Sequence, residues 1–409
     1  MKIIFLGSFF PTQLENKLRN KSIGAMSNAN NALQWSYIRG LKLFCPSLEV
    51  VTLPQIGAFP FRYKNLFFKT ELSNFNIDGV SSAHCINFFN LIGFKHLARY
   101  IKAKSIISKI IDKSTDNEIV IIIYDLHAPF INAIKKIKEK NERIKTCVIV
   151  PDLPYMTGAP ENLVYQLFLK VEHFFLNKSL GLIDWFVLLS RHMAEKLPVD
   201  NKPWIVIEGI YNIDYEVINK AKKIVKNEKI IFYSGAIDAR NGILNLIEAF
   251  RQIPDTNYRL IICGDGPEKQ YVLDAVKKDS RISYKGQISR GKVLELQKES
   301  TLLVNPRNSC EEFTRYSFPS KTMEYFASGV PVLMFEIEGV PDEYYSYCYI
   351  VKENSIIGLK NSIMRICEQD AWVLDSLGEN ARRFILDNKS PMHQCSKLVN
   401  FINENSVTN

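Results

Sequence analysis

Short apolar runs recur along the chain and alternate with stretches in which apolar residues return at helical spacing. Runs that are apolar throughout are typical of parallel strands that are covered on both faces. The pattern predicts strands at KIIFLG, LEVVTL, EIVIIIY, KTCVIV, WFVLLS, PWIVIEG, KIIFYSG, YRLIICG, RISYKG, TLLVNP, VPVLMF and YCYIV. Strands that alternate with helices in this way predict an α/β protein with doubly wound parallel sheets.

The predicted strands fall into two series. The proline-containing KLPVDNKPWIVIEGIYNIDYEV is followed by the basic, polar NKAKKIVKNEK, after which a second glycine-punctuated series begins. A length of 409 residues also exceeds one ordinary core. We therefore predict an N-terminal domain at 1–208 and a C-terminal domain at 209–385, joined near 205–215. Residues 386–409 are expected to form a C-terminal helix, with packing back on the N-terminal domain as one option.

Composition narrows the class of protein. Hydrophobic residues make up 46% and charged residues 23%, as in folded soluble proteins. The N-terminal MKIIFLGSFFP is too short an apolar run for a signal peptide and meets a proline, so we interpret it as the first strand. The eight cysteines are scattered without a CxxC pair, which indicates reduced thiols in the cytoplasm rather than a zinc site or disulfides. The net charge of +9 leaves nucleic acid, anionic lipid and phosphorylated substrates open.

Chemistry-bearing residues follow six of the predicted strands. Ligands of open α/β sheets bind beyond the carboxyl ends of the strands. The loops are FLGSFFP, YDLHAP, VPDLPYMTG, YSGAIDARNG, CGDGPE and VNPRNSCEEF. Together they predict an enzyme whose cleft holds a nucleotide-like ligand.

The stretch YSFPSKTMEYFASGVPVL predicts a short helix with a polar start. Pro319 suits the first helical turn, and Gly329 suits the position just past the last. Unbonded N–H groups of Ser320 and Lys321 would form an anion site at the positive end of the helix dipole. Glu324 lies four residues after Ser320, on the same face, where a carboxylate could accept from ribose hydroxyls. The alternative is a capped surface helix whose glutamate is solvated.

Four consecutive segments resemble the retaining glycosyltransferases of family four, which have the GT-B architecture of two facing Rossmann-like domains. The segments are IIFYSGAIDARNGILNLIEAF, YRLIICGDGPE, RISYKGQISRGKVLELQKESTLLVNPR and EEFTRYSFPSKTMEYFASGVPVL, and they span most of residues 229–335. The N-terminal half is similar to the family only through FLGSFFP, Gly24, YDLHAP and VPDLP.

The resemblance implies transfer of a hexose-type sugar, with retention, from a nucleoside-diphosphate sugar to a hydroxyl. The acceptor would be a glycan or a polyprenyl-diphosphate-linked glycan in the synthesis of a bacterial cell-surface polysaccharide, such as capsule or lipopolysaccharide. The nucleotide sugar is a co-substrate, and no other cofactor and no metal is implied. The acceptor hydroxyl would attack from the face that the diphosphate leaves.

Carried over to this sequence, the family pattern implies that Glu324 binds the ribose of the donor. It also implies that the backbone N–H groups near Ser320 and Lys321 bind the diphosphate. Tyr316 stands where the family has its first glutamate, which contacts the transferred sugar. A tyrosine can donate a hydrogen bond to a sugar hydroxyl but carries no charge.

The family's diphosphate-neutralising arginine and lysine correspond here to Ala236 and Asn241. Arg240, Arg307 and Lys321 are the candidates to supply that charge instead. The resemblance also assigns the donor site three glycines, of which the first lies in the best-matching loop: Gly235, Gly264 and Gly266.

On the acceptor side, His127 corresponds to the family's histidine near the donor sugar; the alternative is a histidine that only satisfies local hydrogen bonds. Asp152 is expected either to contact sugar hydroxyls or to cap a turn. Gly7 and Gly24 would bring backbone N–H groups close to substrate or simply permit turns. The candidate catalytic residues are therefore His127, Tyr316, Arg240 and Lys321.

Residues 59–113 combine aromatic residues with nine Lys and Arg against three acids. Such a surface could dock on anionic lipid at the inner face of the cell membrane, or be a helix packed on the sheet with a solvated lysine face.

Two other functions fit the pattern. A GT-B nucleotide-sugar epimerase would use the same nucleotide pocket without an acceptor. A non-catalytic sugar-nucleotide-binding or scaffold protein would explain Tyr316, Ala236 and Asn241. Nucleic-acid binding ranks below both, because the basic residues are dispersed.

Overall fold

The computed structural model describes residues 1–24, 26–153, 176, 179–212, 228–310 and 312–406. The chain divides into two compact units. Unit 1 comprises Met1–Ile210 and Pro391–Asn409, and unit 2 comprises Tyr211–Ser390. Most of the basic stretch of the predicted linker, residues 219–227, lies outside the described residues.

Unit 1 is built on a parallel sheet with the strand order β4-β2-β1-β6-β7-β8-β9. Its strands are β1 (Lys2–Gly7), β2 (Glu49–Thr52), β4 (Ser82–Cys85), β6 (Ile119–Tyr124), β7 (Ile144–Val150), β8 (Trp185–Leu188) and β9 (Trp204–Val206). A separate antiparallel pair consists of β3 (Phe67–Phe68) and β5 (Phe88–Phe89). The helices described in this unit are α1 (Glu15–Lys21), α2 (Asn28–Leu41), α3 (Lys95–Asp112), α4 (Ala128–Lys138) and α11 (Pro391–Ser406).

Unit 2 has a second parallel sheet with the order β12-β11-β10-β13-β14-β15. Its strands are β10 (Lys229–Ser234), β11 (Tyr258–Cys263), β12 (Ile282–Tyr284), β13 (Leu302–Asn305), β14 (Val332–Met334) and β15 (Tyr349–Ile350). Its described helices are α5 (Ile243–Arg251), α6 (Lys269–Lys278), α7 (Arg290–Lys298), α8 (Lys321–Ala327), α9 (Ile356–Cys367) and α10 (Ala371–Asn388).

The central strands are buried on both faces, as their apolar sequences predicted. Every residue of β6 is buried, and β10 is buried from Ile230 onward. Side chains on both faces of these strands pack against helices, so a polar residue on either face would lose water without gaining a partner. Each of the twelve predicted runs contains a strand.

Residues 59–113 contain strands that the sequence pattern does not predict. Strand β4 adds to the edge of the sheet of unit 1 beside β2. In β4, buried Ala83 and Cys85 alternate with half-buried Ser82 and His84, so the run is too short and too polar to stand out. The amphipathic helix of this region is α3, which begins only at Lys95.

The last helix belongs to unit 1, where α11 packs on α2. Gly40 of α2 approaches Pro391 and Cys395 so closely that a Cβ on Gly40 would collide with both. Gln394 donates from Nε2 to the carbonyl of Gly209 at 2.9 Å, and these two residues are 185 positions apart in the sequence. Gly40 is therefore required by the packing of α11 on α2.

No helix within the described ranges is both long and apolar enough to cross a membrane.

Candidate functional site

Glu324 of α8 is held in place by neighbouring side chains. Its Oε1 accepts hydrogen bonds from Nε2 of Gln297 at 3.0 Å and from Nζ of Lys321 at 3.1 Å. Nε of Arg290 lies 3.8 Å from the other carboxylate oxygen. The Glu324 side chain is only 14% exposed, and Gln297 of α7 is fully buried. Glu324 is therefore a positioned carboxylate and not the solvated surface acid of the alternative interpretation.

The start of α8 is close to the predicted one. Lys321 is the first helical residue, and Ser320 precedes it without making a side-chain cap. Pro319 lies before the helix and not in its first turn, and its carbonyl accepts from the N–H of Thr322 at 2.8 Å. Gly329 follows the helix in the left-handed region at φ 76°, as predicted.

Two hydrogen bonds fix α8 to the end of β10. The hydroxyl of Tyr325 accepts from the N–H of Ser234 at 2.7 Å and donates to the Ser234 carbonyl at 3.1 Å. Burial raises the pKa of Tyr325, so the hydroxyl keeps the proton that it donates. The helix start is thereby set against the loop that begins at Gly235.

The glycines of unit 2 permit two loops to pack backbone against backbone. Gly264 has φ 136°, and a Cβ there would collide with the carbonyl oxygen of Gly235. A Cβ on Gly266 would collide with the carbonyl of Ile237. The N–H of Ile237 also donates to the carbonyl of Asp265 at 3.0 Å. The loops after β10 and β11 are therefore packed and hydrogen-bonded together at the strand ends.

Arg307 and Arg240 both lie against Phe313. The Arg307 guanidinium is 4.3 Å from the centre of that ring, and the Arg240 guanidinium is 6.0 Å from it. Arg307 is buried and donates to Oγ of Ser317 at 2.5 Å. Arg240 is half-exposed and pairs with Asp238 at 2.7 Å, so its charge is partly compensated within its own loop.

Tyr316 ends the short 3-10 helix Glu312–Tyr316 and is 5% exposed. A carboxylate buried to that extent would require a cation, whereas a phenol requires only hydrogen-bond partners. A tyrosine therefore suits the burial of this position better than an acid would.

In unit 1, His127 stands at the start of α4, beyond the carboxyl end of β6. Its carbonyl accepts from the N–H groups of Phe130 and Ile131, which begins the helix. The imidazole lies 4.6 Å from the ring of Phe130 and 5.6 Å from that of His96. Nε2 of His127 is buried and has no hydrogen-bond partner among the described residues. Burial, and then the positive charge of Arg99 nearby, hold the pKa of His127 well below its usual value, so the imidazole is neutral at neutral pH.

The loop before His127 contains a backbone conformation that is unusual for a residue with a side chain. Asp125 has φ 79°, the left-handed region, and donates its N–H to the carbonyl of Ile149 at 3.0 Å. Burial and the charge of Asp152 raise the pKa of Asp125 to about 6. Strained residues of this kind concentrate at functional sites.

The remaining acceptor-side candidates are Asp152, Gly7 and Gly24. Asp152 is exposed, and its charge acts on Asp125. Gly7 ends β1, where a Cβ would collide with Oε1 of Gln34, which accepts from the N–H of Ser8 at 2.8 Å. Gly24 has φ 101° with open space where a side chain would stand. Both glycines therefore have a structural requirement that is independent of substrate.

Metal ligands do not gather in the described residues, in which no group of three or more His, Cys, Asp or Glu is arranged to hold an ion.

The sequence of unit 2 matches a known family. Residues 214–384 fit the family model described as glycosyl transferases group 1. This match supports nucleotide-sugar-dependent glycosyl transfer. No curated protein matches the chain.

Solved structures share the fold along the whole chain. Sucrose-phosphate synthase from Thermosynechococcus elongatus is 14% identical, with a TM-score of 0.64 and full coverage of both chains. HepE from Anabaena, solved in complex with UDP, is 14% identical, with a TM-score of 0.61 over 99% of this chain and 100% of that one. A trehalose-phosphate synthase from Burkholderia xenovorans, solved with glucose-6-phosphate, is 10% identical, with a TM-score of 0.64 over 98% and 100%. The chain thus has the GT-B fold of two Rossmann-like domains.

Sequence reasoning did not find several residues that shape these sites. Gln297 and Tyr325 contact residues that are far away in the sequence, so no local sequence pattern predicts their roles. Arg99 sits among apolar residues of an amphipathic helix, and only its burial marks it.

Proposed function

We propose that the chain is a retaining glycosyltransferase that moves a hexose-type sugar from a nucleoside-diphosphate sugar to a hydroxyl of a glycan or lipid-linked glycan. The observation that carries the proposal is the braced carboxylate of Glu324 one turn into α8, within the segment that matches glycosyl transferases group 1. Cell-surface polysaccharide synthesis is the process we propose for it.

Unit 2 would bind the donor. Glu324 would accept hydrogen bonds from the ribose hydroxyls, because its carboxylate is already oriented by Gln297 and Lys321. The N–H groups of Ser320 and Lys321 would receive the diphosphate. The packed glycine loops of Gly235, Gly264 and Gly266 would let that group approach the backbone.

Catalysis in this proposal is mainly electrostatic. Negative charge grows on the diphosphate as the sugar leaves, and positive groups fixed in advance stabilise it best. Arg307 suits this task, since Ser317 and Phe313 hold its guanidinium in one orientation. To bind the diphosphate, Arg240 would have to give up part of its ion pair with Asp238.

Retention would follow from attack on the face that the diphosphate leaves. A double displacement would need a carboxylate nucleophile close to the anomeric carbon. The family resemblance assigns Tyr316 to the position of a sugar-contacting acid, and in this proposal it would serve as a hydrogen-bond donor to the sugar. His127, neutral and with one ring nitrogen unpaired among the described residues, would contact a sugar hydroxyl on the acceptor side, where Gly7, Gly24 and Asp152 are further candidates.

The test is turnover of nucleoside-diphosphate hexoses with and without glycan acceptors, followed by NMR of the anomeric proton. We expect nucleoside diphosphate to form in an acceptor-dependent manner and the new linkage to keep the donor's configuration. Conversion of the sugar without acceptor would instead indicate an epimerase. Absence of turnover, combined with tight donor binding, would indicate a binding protein.

We further propose that unit 1 docks on an anionic membrane, so that the enzyme acts in the cytoplasm at the inner face of the cell membrane on a polyprenyl-diphosphate-linked acceptor. Phe94, Leu97 and Ile101 are each more than half exposed and recur three and four residues apart around α3. Lys102 is an exposed lysine of the same helix, and Phe61, which is 70% exposed, also belongs to the aromatic and basic region 59–113. Apolar side chains beside lysines favour anionic interfaces.

Flotation with phosphatidylglycerol vesicles tests the docking surface. Wild type is expected to float, and the double variant Phe94→Ser/Leu97→Ser is expected to remain in the soluble fraction. Trp372→Ser is the matched control, since Trp372 is a 72% exposed apolar residue of unit 2. Equal flotation of the double variant and wild type, or no flotation of wild type, would overturn the membrane proposal.

A further inference from the structure

Basic side chains gather in unit 1 beside His127. Lys95, His96 and Arg99 lie on the first turns of α3, and their charges act on the imidazole of His127. His96 contacts that imidazole directly, with the rings 5.6 Å apart. The neighbourhood lies beyond the carboxyl ends of β2 and β6, because Arg99 reaches Pro54 after β2 while His127 follows β6.

Arg99 is unusually buried for an arginine, at 1% exposure. Nη1 donates to the carbonyl of Pro54 at 2.9 Å, and the guanidinium lies 5.0 Å from the ring of Phe130 and 5.3 Å from that of Phe88. Nε of Arg99 is buried without a hydrogen-bond partner among the described residues. Burial lowers the pKa of Arg99 to about 9, which still leaves it charged at neutral pH.

Lys95 is half-buried one turn before Arg99. Its ammonium donates to the carbonyl of Ile56, which uses one of its three protons. Burial, and then the charge of Arg99, lower the pKa of Lys95 to about 7. An anion bound beside Lys95 would return this pKa toward its usual value and would itself be held more tightly by the protonated form.

The described residues supply little negative charge to Lys95 and Arg99. Neither Lys95 nor Arg99 forms an ion pair with a carboxylate of the described residues. Asp125 is the acid whose charge acts on Arg99, but burial and Asp152 work against its ionisation. A buried cation without a paired carboxylate is costly, and binding sites are where such a cost is retained.

We propose that Lys95 and Arg99, with His127 beside them, form a site for a phosphate-type oxyanion carried by the acceptor substrate. Lys95 contacts the anion from the half-exposed side, and Arg99 supplies a fixed positive charge behind it. The assignment of the anion to the acceptor rests on the proposed function. The binding of the anion itself does not.

NMR of the histidine side chains reports on this site in the full chain. Inorganic phosphate is the probe, and the variants His96→Gln and His127→Gln assign two of the six imidazoles. We expect saturable shifts of the His96 and His127 signals. Lys95→Gln should weaken phosphate binding about tenfold, since a charge-assisted hydrogen bond is lost. Lys109→Gln, at an exposed lysine further along α3, should leave it unchanged.

Shifts that are equal at all histidines, or that saturate at the same phosphate concentration in Lys95→Gln as in wild type, would overturn the site. Arg99→Lys provides a second variant that keeps the charge in the core. It should retain more phosphate affinity than Arg99→Met, with folding of both checked by circular dichroism. Equal phosphate affinity of the two folded variants would count against a role for the Arg99 charge.

Competition against phosphate identifies the source of the anion. A hexose phosphate that displaces phosphate indicates a soluble acceptor, and a prenyl diphosphate in detergent that does so indicates a lipid-linked one. If neither displaces it, the acceptor assignment fails. Nucleoside-diphosphate binding to unit 2 is measured separately. Nucleotide binding without the histidine shifts overturns this inference alone, whereas the shifts without nucleotide binding overturn the proposed function.

Discussion

Glu324 owes its orientation to side chains that are distant in the sequence. Its place four residues after Ser320 could be predicted from helical spacing, and the family resemblance suggested its role. The brace from Gln297, on another helix, could not be predicted, because side-chain contacts between elements leave no periodic signal. The same holds for Arg99, whose burial depends on how α3 packs and not on its neighbours in sequence.

Asp125→Asn should stabilise unit 1 above pH 6. The pKa of Asp125 is about 6 in the folded chain, against 3.8 ordinarily, so the folded state binds more protons between these values. The stability contributed by Asp125 is therefore lost as pH rises from about 4 to about 6. A shift of this size corresponds to about 2 to 3 kcal/mol. Asparagine removes the charge and tolerates the left-handed backbone at φ 79°.

Denaturant unfolding at pH 5 and pH 8 measures this effect. His127 acts with the opposite sign: its lowered pKa makes the folded state lose stability as pH falls below about 6.5. Because His127 titrates in both proteins, the difference between their curves reports Asp125. Asp112→Asn, an exposed acid at the end of α3, is the control. A stability gain for Asp125→Asn that is the same at both pH values would contradict this account.

At the scale of elements, the sequence predicted the strands better than the short connections. Central strands such as β6 are apolar on both faces and were evident as continuous apolar runs in the sequence. Edge strand β4 was not, because half of its residues face outward and it is four residues long. The end of α8 was marked by Gly329, whereas its start differed because Pro319 only turns the chain toward the helix.

Gly264→Ala should destabilise unit 2 by about 2 kcal/mol or more, since a Cβ would meet the Gly235 carbonyl and the backbone is in a region that only glycine adopts easily. Displacing the Gly235 loop should also weaken donor binding. Thermal unfolding and nucleotide titration measure the two effects.

Gly291→Ala is the matched control. Gly291 lies in the first turn of α7 with open space where a Cβ would stand, so alanine should stabilise the chain by a few tenths of a kcal/mol to about 1 kcal/mol. Equal effects of the two substitutions would refute the close packing of the two glycine loops as the reason for Gly264.

For the whole molecule, alternation of apolar runs with helices was enough to predict two doubly wound α/β domains, and the family resemblance implied that they are Rossmann-like. Identities of 10–14% to solved structures with TM-scores above 0.6 show how little of the sequence that fold requires. Function is predicted from fewer residues, and the resemblance itself assigns Tyr316, Ala236 and Asn241 to positions where the family pattern has charged residues. In the proposed function, donor recognition therefore depends chiefly on Glu324 and Arg307.

Calorimetric titration with nucleoside diphosphates tests the central claim that Glu324 accepts hydrogen bonds from the ribose of the donor. We expect at least one of UDP, GDP, ADP and dTDP to bind wild type, and Glu324→Gln to lower the affinity for a ribonucleotide by about tenfold or more. Glu295→Gln, an exposed acid on α7, should bind as wild type does. The 2′,3′-dideoxy form of the same nucleotide should bind wild type and Glu324→Gln equally, because the groups that Glu324 contacts are gone. Equal ribonucleotide affinity for wild type and Glu324→Gln would contradict the account.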